Sequence, residues 1–148
     1  MKQLLLACLI ALAAPVALAD VWLNPGFYSR HLDRDKGFNN VNTGLGVEVS
    51  LTNTYSLTTG FFENTDRATS RYVGLYAMPF RTGHFKAGAA IGAFDGYPRM
   101  RDGGWFPAFV PTVAFEGRQL GLNVSFVPAI SDRVHGAIAF QLKYNVAP

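Results

Sequence analysis

Eight short segments, each alternating large apolar residues with small or polar ones, follow one another from residue 25 to the end of the chain. This period of two places successive side chains on opposite faces of a β-strand, and no helical pattern of comparable length interrupts it. The pattern predicts an all-β fold, an eight-stranded antiparallel up-and-down barrel. The predicted strands lie near residues 25–32, 43–51, 54–63, 69–80, 84–94, 106–116, 119–128 and 135–146.

The two faces of these segments indicate what surrounds the barrel. In "QLGLNVSFV" and "AIAFQLKYNV" one face is uniformly apolar, whereas the other carries small and polar residues. A soluble lipocalin-like barrel would place the apolar row inside. Small residues suit a crowded interior better, which favours a transmembrane barrel with its apolar row towards lipid. The small residues that we expect inside are Gly44, Gly46, Gly121, Ala137 and Ala139.

An eight-stranded barrel leaves room inside for side chains or one small ligand, so we expect no open pore. On this reading Glu48 and Lys143 both point inward, from the two strands that flank the first. A buried charge requires a partner. We therefore predict a structural ion pair between them.

The first residues, "MKQLLLACLIALAAPVALAD", have the pattern of a secretory signal peptide, with one lysine, an apolar run and "ALA" before Asp20. A transmembrane helix is the alternative, but the run is short for one. We expect a cleaved signal over residues 1–19 and one barrel domain over residues 20–148. Cys8, the sole cysteine, would leave with the signal, and the formal charge would fall from +3 to +2. So small a charge gives no reason to expect a nucleic-acid partner.

The connections between the predicted strands alternate in length. Three are tight turns, "TNT", "RTGH" and "EGRQ". The other four, "DRDKGFNNVN", "ENTDRATS", "DGYPRMRDGGW" and "PAISDRVHG", are longer and carry most of the charge. Short turns on one side and long loops on the other are typical of barrels in the bacterial outer membrane, where we expect this protein to reside.

The residues suited to chemistry fall at the long-loop end. His31 closes the first predicted strand, Glu63, Asn64 and Thr65 close the third, and Asp95 closes the fifth. A histidine, an amide or carboxylate, and a hydroxyl can serve as base, orienting group and polarising group in acyl transfer. The same residues could equally be ordinary polar residues at the rim.

Prolines mark one seam of the predicted barrel. Pro107 begins the sixth strand and Pro128 ends the seventh, both at the long-loop end, and Pro111 lies deeper in the sixth. Proline donates no hydrogen bond to a sheet, so this seam is predicted to be open at the long-loop end, which is called the upper end below. An opening there would admit a lipid chain from the side, although the prolines could also simply mark strand ends.

These segments together resemble one family, the PagP-type lipid A palmitoyltransferases. "SRHLDRDKGFNNVNTGLGVEVS" resembles that family's first strand, first loop and second strand, and "FENTDRATSRYVGLY" its third and fourth strands with their loop. "WFPAFVPTVAFEGRQLGLNVSFVPA" is similar to its sixth and seventh strands, with prolines placed like those of a lateral lipid gate. The likeness is scattered over most of the chain after the signal.

The resemblance implies a monomeric outer-membrane enzyme that moves an acyl chain from a glycerophospholipid to lipid A without a cofactor or metal. It implies that His31 acts as a base or in a polar relay, with Asn64 and Thr65 where the family has an acid and a serine. Pro107 and Pro128 would admit the lipid, and Tyr76 would take the place of a glycine that sets the depth of the acyl pocket. A shorter acyl chain is then expected.

The chain departs from that family in other ways. Asn64 cannot ionise, and Glu63, one residue earlier, belongs to the opposite face of a regular strand. Only "DVWLNP" lies between the predicted cleavage point and the first strand, where the family has an amphipathic helix. Two other functions therefore stay open. One is a lipid A or phospholipid hydrolase that uses water as acceptor, and the other is a barrel without catalysis whose loop arginines bind lipopolysaccharide phosphates.

Overall fold

The computed structural model describes residues 19–148. The predicted signal peptide, apart from Ala19, lies outside the described residues. Eight antiparallel strands form a closed barrel in which each strand pairs with its neighbours in sequence and the last pairs with the first. The predicted fold class and order of strands are confirmed. The strands are β1 (Val21–His31), β2 (Val41–Ser50), β3 (Tyr55–Glu63), β4 (Thr69–Thr82), β5 (Phe85–Phe94), β6 (Phe106–Glu116), β7 (Leu120–Val127) and β8 (Ala137–Asn145).

The first strand begins earlier than the sequence indicates. The prediction placed its start near residue 25, and this was wrong, because β1 begins at Val21. A β-bulge between Asn24 and Gly26 shifts the register of β1 against β2, and Gly26 adopts a φ of +101° there. The Pro25–Gly26 pair therefore bends a continuous strand instead of preceding it.

The interior of the barrel is polar in its lower half, the half nearer the short turns. Lys143 binds Glu48 at 2.9 Å and Glu116 at 2.8 Å, and Glu116 also binds Lys86 at 2.6 Å. The predicted pairing of Glu48 with Lys143 is thus confirmed, and it forms part of a chain of four alternating charges. Trp22 packs beside this chain with its ring 4.8 Å from the Lys143 ammonium group.

Glycines in the barrel wall make room for the side chain of Tyr72. The Tyr72 side chain crosses β3 and reaches β2, where its hydroxyl group occupies the space above Gly46 and Gly60. A Cβ atom at Gly46 would lie 2.0 Å from that oxygen, and one at Gly60 would lie 2.7 Å from it. The small residue predicted at Gly46 is therefore required by packing against Tyr72.

The outer surface carries the apolar row. Large apolar side chains are exposed on every strand, among them Leu45, Phe61, Val73, Ile91, Phe109, Val113, Leu120, Phe126 and Leu142. Their alternation with buried polar residues matches a barrel whose outer wall faces lipid. Within residues 19–148, no helix is long and apolar enough to cross a membrane.

The wall is incomplete between β6 and β7. The ladder between β5 and β6 extends along the whole of β6, from Phe106 to Phe115, but the ladder between β6 and β7 stops at Thr112 opposite Ser125. Above that point β6 has no partner on the β7 side. The side chains of Thr112 and Ser125 share a hydrogen bond of 2.8 Å where the ladder ends. The opening that the prolines predict is therefore present.

The prolines explain why the opening leaves few unpaired backbone donors. Pro107 and Pro111 are four residues apart, so their nitrogen atoms point to the same edge of β6. The ladder with β5 continues past both residues, which indicates that these nitrogens face β7. Exposed N–H groups would be costly in lipid, and proline removes them.

Candidate active site

His31 is the last residue of β1 and is buried at the long-loop end of the barrel, with 5% of its surface exposed. The β1–β2 ladder ends lower down, at Tyr28 opposite Val41. His31 pairs with Ala137 of β8 on its other side. The imidazole thus lies above the β1–β2 seam, where loop residues can reach both of its nitrogen atoms.

Both imidazole nitrogens have hydrogen-bond partners. Nδ1 lies 2.8 Å from Oδ1 of Asn40, and Nε2 lies 3.0 Å from Oγ1 of Thr65. Because an amide oxygen only accepts, Nδ1 carries the proton and donates it to Asn40. The unprotonated Nε2 then accepts the hydroxyl hydrogen of Thr65. This is the arrangement of an orienting group, a base and an activated hydroxyl.

The structure brings His31 and Thr65 together but places Asn64 elsewhere. Asn64 is fully buried, and its Nδ2 donates to Ser70 Oγ and to the carbonyl oxygen of Gly96, both at 2.9 Å. Its Oδ1 accepts from the backbone N–H groups of Asp66 and Ala68. Its amide is therefore used to shape the loop after β3 and to tie that loop to Ser70 of β4 and to Gly96 after β5. The orienting hydrogen bond expected from Asn64 is made by Asn40.

The two carboxylates that the sequence places at the ends of the third and fifth strands, Glu63 and Asp95, are also engaged away from His31. Asp95 is buried and binds the Arg71 side chain, with Nε 2.7 Å from Oδ2, and accepts from the Arg71 backbone N–H. Burial opposes ionisation of Asp95, but the hydrogen bonds and charge of Arg71 prevail and lower its pKa below the usual value. Glu63 is exposed and accepts a hydrogen bond of 3.0 Å from Asn39.

An aromatic stack covers the imidazole. The centroid of the Phe38 ring lies 4.9 Å from that of the His31 ring and 4.1 Å from that of the His135 ring. Phe38 belongs to the loop after β1 and His135 to the loop before β8. These contacts hold the two loops together over His31 and restrict the access of water to it.

A cavity of about 210 Å³ lies beneath this site and continues to the open β6–β7 seam. Its walls are mostly aromatic and aliphatic, with Phe27, Phe62, Phe94 and Phe106 among them. Thr65 lines its upper part, Tyr76 lines it lower in the barrel, and Pro107 and Pro128 line it at the seam. Of the residues predicted to bind substrate, all three line this cavity.

A second, polar crevice of about 330 Å³ lies on the other side of His31. It is bounded by Tyr28 and Arg30 of β1 and by loop residues that include Arg34 and Asn40. His31 lines the crevice, whereas Thr65 lines the apolar cavity. The hydrogen-bonded set of Asn40, His31 and Thr65 therefore connects an apolar compartment with a polar one.

Burial affects one further group beside the cavity. Tyr97, in the loop before β6, lines the cavity and packs against Phe106 at a centroid distance of 5.8 Å. Burial, and then the negative charge of Asp66, raises the pKa of the Tyr97 phenol. The group stays neutral and contributes an apolar surface.

Within residues 19–148 no cluster of three or more histidine, cysteine or acidic side chains could hold a metal ion.

Comparisons with known proteins bear on the fold. No family model matches the chain, and no curated protein is similar enough to serve as a relative. Among solved structures, the chain is similar to the de novo designed TMB2.3, determined by solution NMR, with a TM-score of 0.62 and 16% sequence identity. The match covers 88% of this chain and 95% of that chain. Because the designed protein is a transmembrane β-barrel, the likeness supports the same fold here and carries nothing about activity.

Sequence reasoning missed Asn40 and Phe38, although both lie in the loop that begins beside His31. The signal available was the run "FNNVN", which places three asparagines at the approach to an apolar strand. Asparagine is unfavourable in a strand unless its amide has fixed partners. That run could have been read as a hydrogen-bonding segment, but its partners became evident only in the fold.

Proposed function

We propose that this protein is an outer-membrane acyltransferase that moves an acyl chain from a glycerophospholipid to lipid A. The observation that carries the proposal is the hydrogen-bonded set of Asn40, His31 and Thr65, whose hydroxyl member lines an apolar cavity. An activated hydroxyl at the mouth of an apolar pocket is suited to attack on a lipid ester. The resemblance to PagP-type enzymes supports the same assignment.

The reaction would proceed in two balanced steps through Thr65. Its oxygen attacks the donor's ester carbonyl while its proton passes to Nε2 of His31. The bond between the carbonyl carbon and the glycerol oxygen breaks, and that oxygen takes the proton as the lysophospholipid leaves. A lipid A hydroxyl then gives its proton to Nε2 and attacks the acyl-threonine ester, and the Thr65 oxygen regains a proton as it is released.

Asn40 fixes the imidazole in the tautomer that this reaction requires. By accepting from Nδ1–H, it leaves Nε2 free to take the proton of Thr65. An amide cannot neutralise the imidazolium as a carboxylate can, so a low turnover number is expected. A histidine oriented by asparagine nonetheless supports acyl transfer in cysteine proteases of the papain type.

The donor lipid would reach this site through the open seam. Its acyl chain could pass from the membrane between β6 and β7 into the cavity without leaving an apolar setting. Tyr76 narrows the lower part of the cavity, where its hydroxyl lies 3.4 Å from Gln141. The bound chain is therefore expected to be shorter than one that occupies the full depth of such a barrel.

The acceptor's head group would bind at the polar crevice beside His31, with its reacting hydroxyl group extending over the rim to Nε2 and the acyl-threonine ester. Arg30 and Arg34 line that crevice and could contact a phosphate group. The outer loops as a whole favour catalysis over a general role in binding polyanions. Each of the four loops carries equal numbers of acidic and basic residues, Asp33, Asp35, Arg34 and Lys36 in the first, Asp66 and Arg67 in the second, Asp95, Asp102, Arg99 and Arg101 in the third, and Asp132 and Arg133 in the fourth.

An outer-membrane location goes with this function. The signal-type N-terminus of the sequence, the lipid-facing apolar wall and the alternation of short turns with long loops support it. Both proposed substrates are lipids, and the His31–Thr65 pair lies at the long-loop end of the barrel, where head groups would be.

The test is mass spectrometry of lipid A from a Gram-negative host that expresses the wild type, His31→Ala, Thr65→Val or Thr65→Ser. The wild type should add one acyl chain, Thr65→Ser should keep part of the activity, and the other two should add none. Thr65→Val keeps the shape of the side chain but replaces the hydroxyl with a methyl group, and gel mobility without boiling checks that this variant and His31→Ala are folded. Free fatty acid without lipid A modification would identify a hydrolase. No lipid change in a folded wild-type barrel would reject catalysis.

A further inference from the structure

Asn42 links the two strands that carry the candidate active site. It lies on β2, inside the barrel, with 2% of its surface exposed. Its Oδ1 accepts the hydroxyl hydrogen of Ser29 on β1 at 2.6 Å. Its Nδ2 donates to the carbonyl oxygen of Glu63 at the end of β3 at 2.9 Å and to that of Asn39 at 3.3 Å.

Each strand contact of Asn42 lies two residues from a member of the site. Ser29 precedes His31 by two residues on the same face of β1, and Glu63 precedes Thr65 by two residues at the end of β3. A displacement of either contact would therefore be transmitted to the His31 or Thr65 side chain. The Asn42 amide acts on both sides of the site at once.

The ladders that join β2 to β1 and β3 stop short of the site, although β1 pairs with β8 up to His31 and β3 pairs with β4 up to Glu63. β2 pairs with β1 only up to Tyr28 opposite Val41, and with β3 only up to Gly44 opposite Phe62. The segments that carry His31 and Thr65 extend above both ladders. Above these ladders, a backbone bond from Ser29 N–H to the Asn40 carbonyl oxygen ties β1 to the segment before β2, and the Asn42 side chain joins Ser29 to Glu63.

Asn39 reinforces the same connection from the loop. Its backbone N–H donates to the Thr65 carbonyl oxygen at 3.2 Å, and its Nδ2 donates to the carbonyl oxygen of Asn64 at 3.3 Å. Asn42 in turn donates to the Asn39 carbonyl oxygen. The segment that ends in Asn40 is thereby docked on the loop that carries Thr65.

We propose that Asn42 is a positioning residue that sets the distance between His31 and Thr65. This inference rests on the proposed function, since it assigns Asn42 a role in that site. Asn42 makes no hydrogen bond to His31 or Thr65, and acts through Ser29 and Glu63. A displacement of about 1 Å at reacting atoms can lower a rate about 100-fold, so the tie would matter more for turnover than for substrate binding.

The competing explanation is that Asn42 only stabilises the barrel. Asn123 provides the matched control, because it is also a buried asparagine with 2% exposure, and its amide bonds to Gln141 and Glu48 in the lower interior. Replacing either residue with leucine removes an amide of the same size from the interior. Asn42 bonds directly to the strands that carry His31 and Thr65, whereas Asn123 reaches the cavity only through Gln141 and Tyr76.

The experiment compares the wild type, Asn42→Leu, Ser29→Ala and Asn123→Leu in phospholipid vesicles, with folding checked by gel mobility without boiling. Asn42→Leu should lower kcat about tenfold or more and change KM for the phospholipid donor by a smaller factor, since Asn42 also lines the cavity. Ser29→Ala should lower kcat less. A double variant with both Ser29→Ala and Asn42→Leu should have the same kcat as Asn42→Leu alone, since both residues act through one connection. Equal losses in Asn42→Leu and Asn123→Leu would overturn the proposal.

A second measurement separates this inference from the proposed function. The nitrogen-15 resonances of His31 report the hydrogen bond at Nε2 whether or not the protein turns over. Asn42→Leu should shift the Nε2 resonance towards that of Thr65→Val, and Asn123→Leu should leave it unchanged. An Nε2 resonance unaffected by Asn42→Leu would overturn the positioning role, even in an active enzyme. If the wild type has no activity but Asn42→Leu still shifts the Nε2 resonance as expected, the positioning role stands and only the transferase assignment is rejected.

Discussion

The Nε2 atom of His31 lies 3.0 Å from the Oγ1 atom of Thr65, although the residues are 34 positions apart in the chain. The first closes β1 and the second follows β3, so the contact passes over the end of β2. Asn40, which immediately precedes β2, occupies the other imidazole nitrogen. The end of β1, the loop before β2 and the loop after β3 thus meet at the His31 imidazole, above an apolar cavity with a lateral opening.

Introducing a carboxylate at Asn40 should improve the proposed enzyme. Asn40 is exposed, so Asn40→Asp introduces a charge without burying it. The carboxylate would accept from Nδ1–H and also stabilise the imidazolium, and we expect kcat to rise by roughly tenfold. Asn40→Leu should lower kcat by a similar factor. The rate of acyl transfer in vesicles measures both, and a decrease for Asn40→Asp would contradict the orienting role.

The same change at Asn64 should destabilise the protein without improving activity. An aspartate there could not donate to the Gly96 carbonyl oxygen or to Ser70 as the Asn64 amide does. The loss of buried hydrogen bonds should cost about 1–3 kcal/mol of unfolding free energy. Urea unfolding in lipid vesicles measures that cost, with Asn40→Asp as the matched control. An active and undiminished Asn64→Asp variant would restore Asn64 as the orienting residue.

Shortening Tyr76 should lengthen the acyl chain that the protein transfers. Tyr76 is buried and lines the cavity. Tyr76→Ala removes the ring and opens the space beneath it, so longer donors should be accepted. Mass spectrometry of modified lipid A gives the chain length directly. The control is Leu75→Ala on the adjacent residue, which alternation places on the outer face, and it should leave the chain length unchanged. No change with Tyr76→Ala would exclude it as the floor of the pocket.

Closing the open seam covalently should prevent the donor from entering. Continued upward, the register of Thr112 with Ser125 would place Val110 opposite Val127, and both line the cavity. Cysteines at these two positions should inactivate the protein when oxidised and restore activity when reduced. Cysteines at Ala114 and Asn123, which already face each other in the closed part of the seam, serve as the control. Full activity in the oxidised Val110–Val127 variant would mean that lipid enters elsewhere.

The Asp95–Arg71 pair should make stability at the long-loop end depend on acidity. The pKa of Asp95 is lowered in the folded protein, because the hydrogen bonds and charge of Arg71 outweigh the effect of burial. A lowered pKa contributes stability above the ordinary pKa of a free aspartate, and this is lost as the pH falls through the folded value. Asp95→Asn should therefore cost about 1–2 kcal/mol near neutral pH, since Arg71 is largely exposed, and less in acid. Urea unfolding over a pH series measures the difference, and a gap that widens in acid would contradict this account.

Much of the fold followed from alternation alone. The closing strands β7 and β8 were predicted to within about two residues because their faces differ so clearly. The prolines predicted the open seam because the lack of an N–H group acts locally. The start of β1 was misplaced, since Pro25 and Gly26 read as a turn and the fold uses them in a bulge within the strand.

The candidate site was predictable only in part. His31 and Thr65 were found because each lies at a strand end, where its approximate height in the barrel follows from counting residues. Asn64 was assigned the orienting role from its place in sequence, yet its amide closes the loop that presents Thr65. The partner of His31 is Asn40, and no strand pattern indicates how a nine-residue loop folds back on its first residues.

The sequence by itself determined the number of strands, the face of each that meets lipid, the interior ion pair and the weak seam. The strand count, the lipid-facing row and the weak seam depend on periodicity and on the chemistry of proline, which act over neighbouring residues, and the ion pair follows because a buried charge requires a partner. Only the tertiary structure decided which amide orients His31, where the cavity ends and how β1 is held to β3. Those outcomes depend on side chains from distant segments that compete for the same few hydrogen-bond partners, and closure of the barrel decides which of them are within reach.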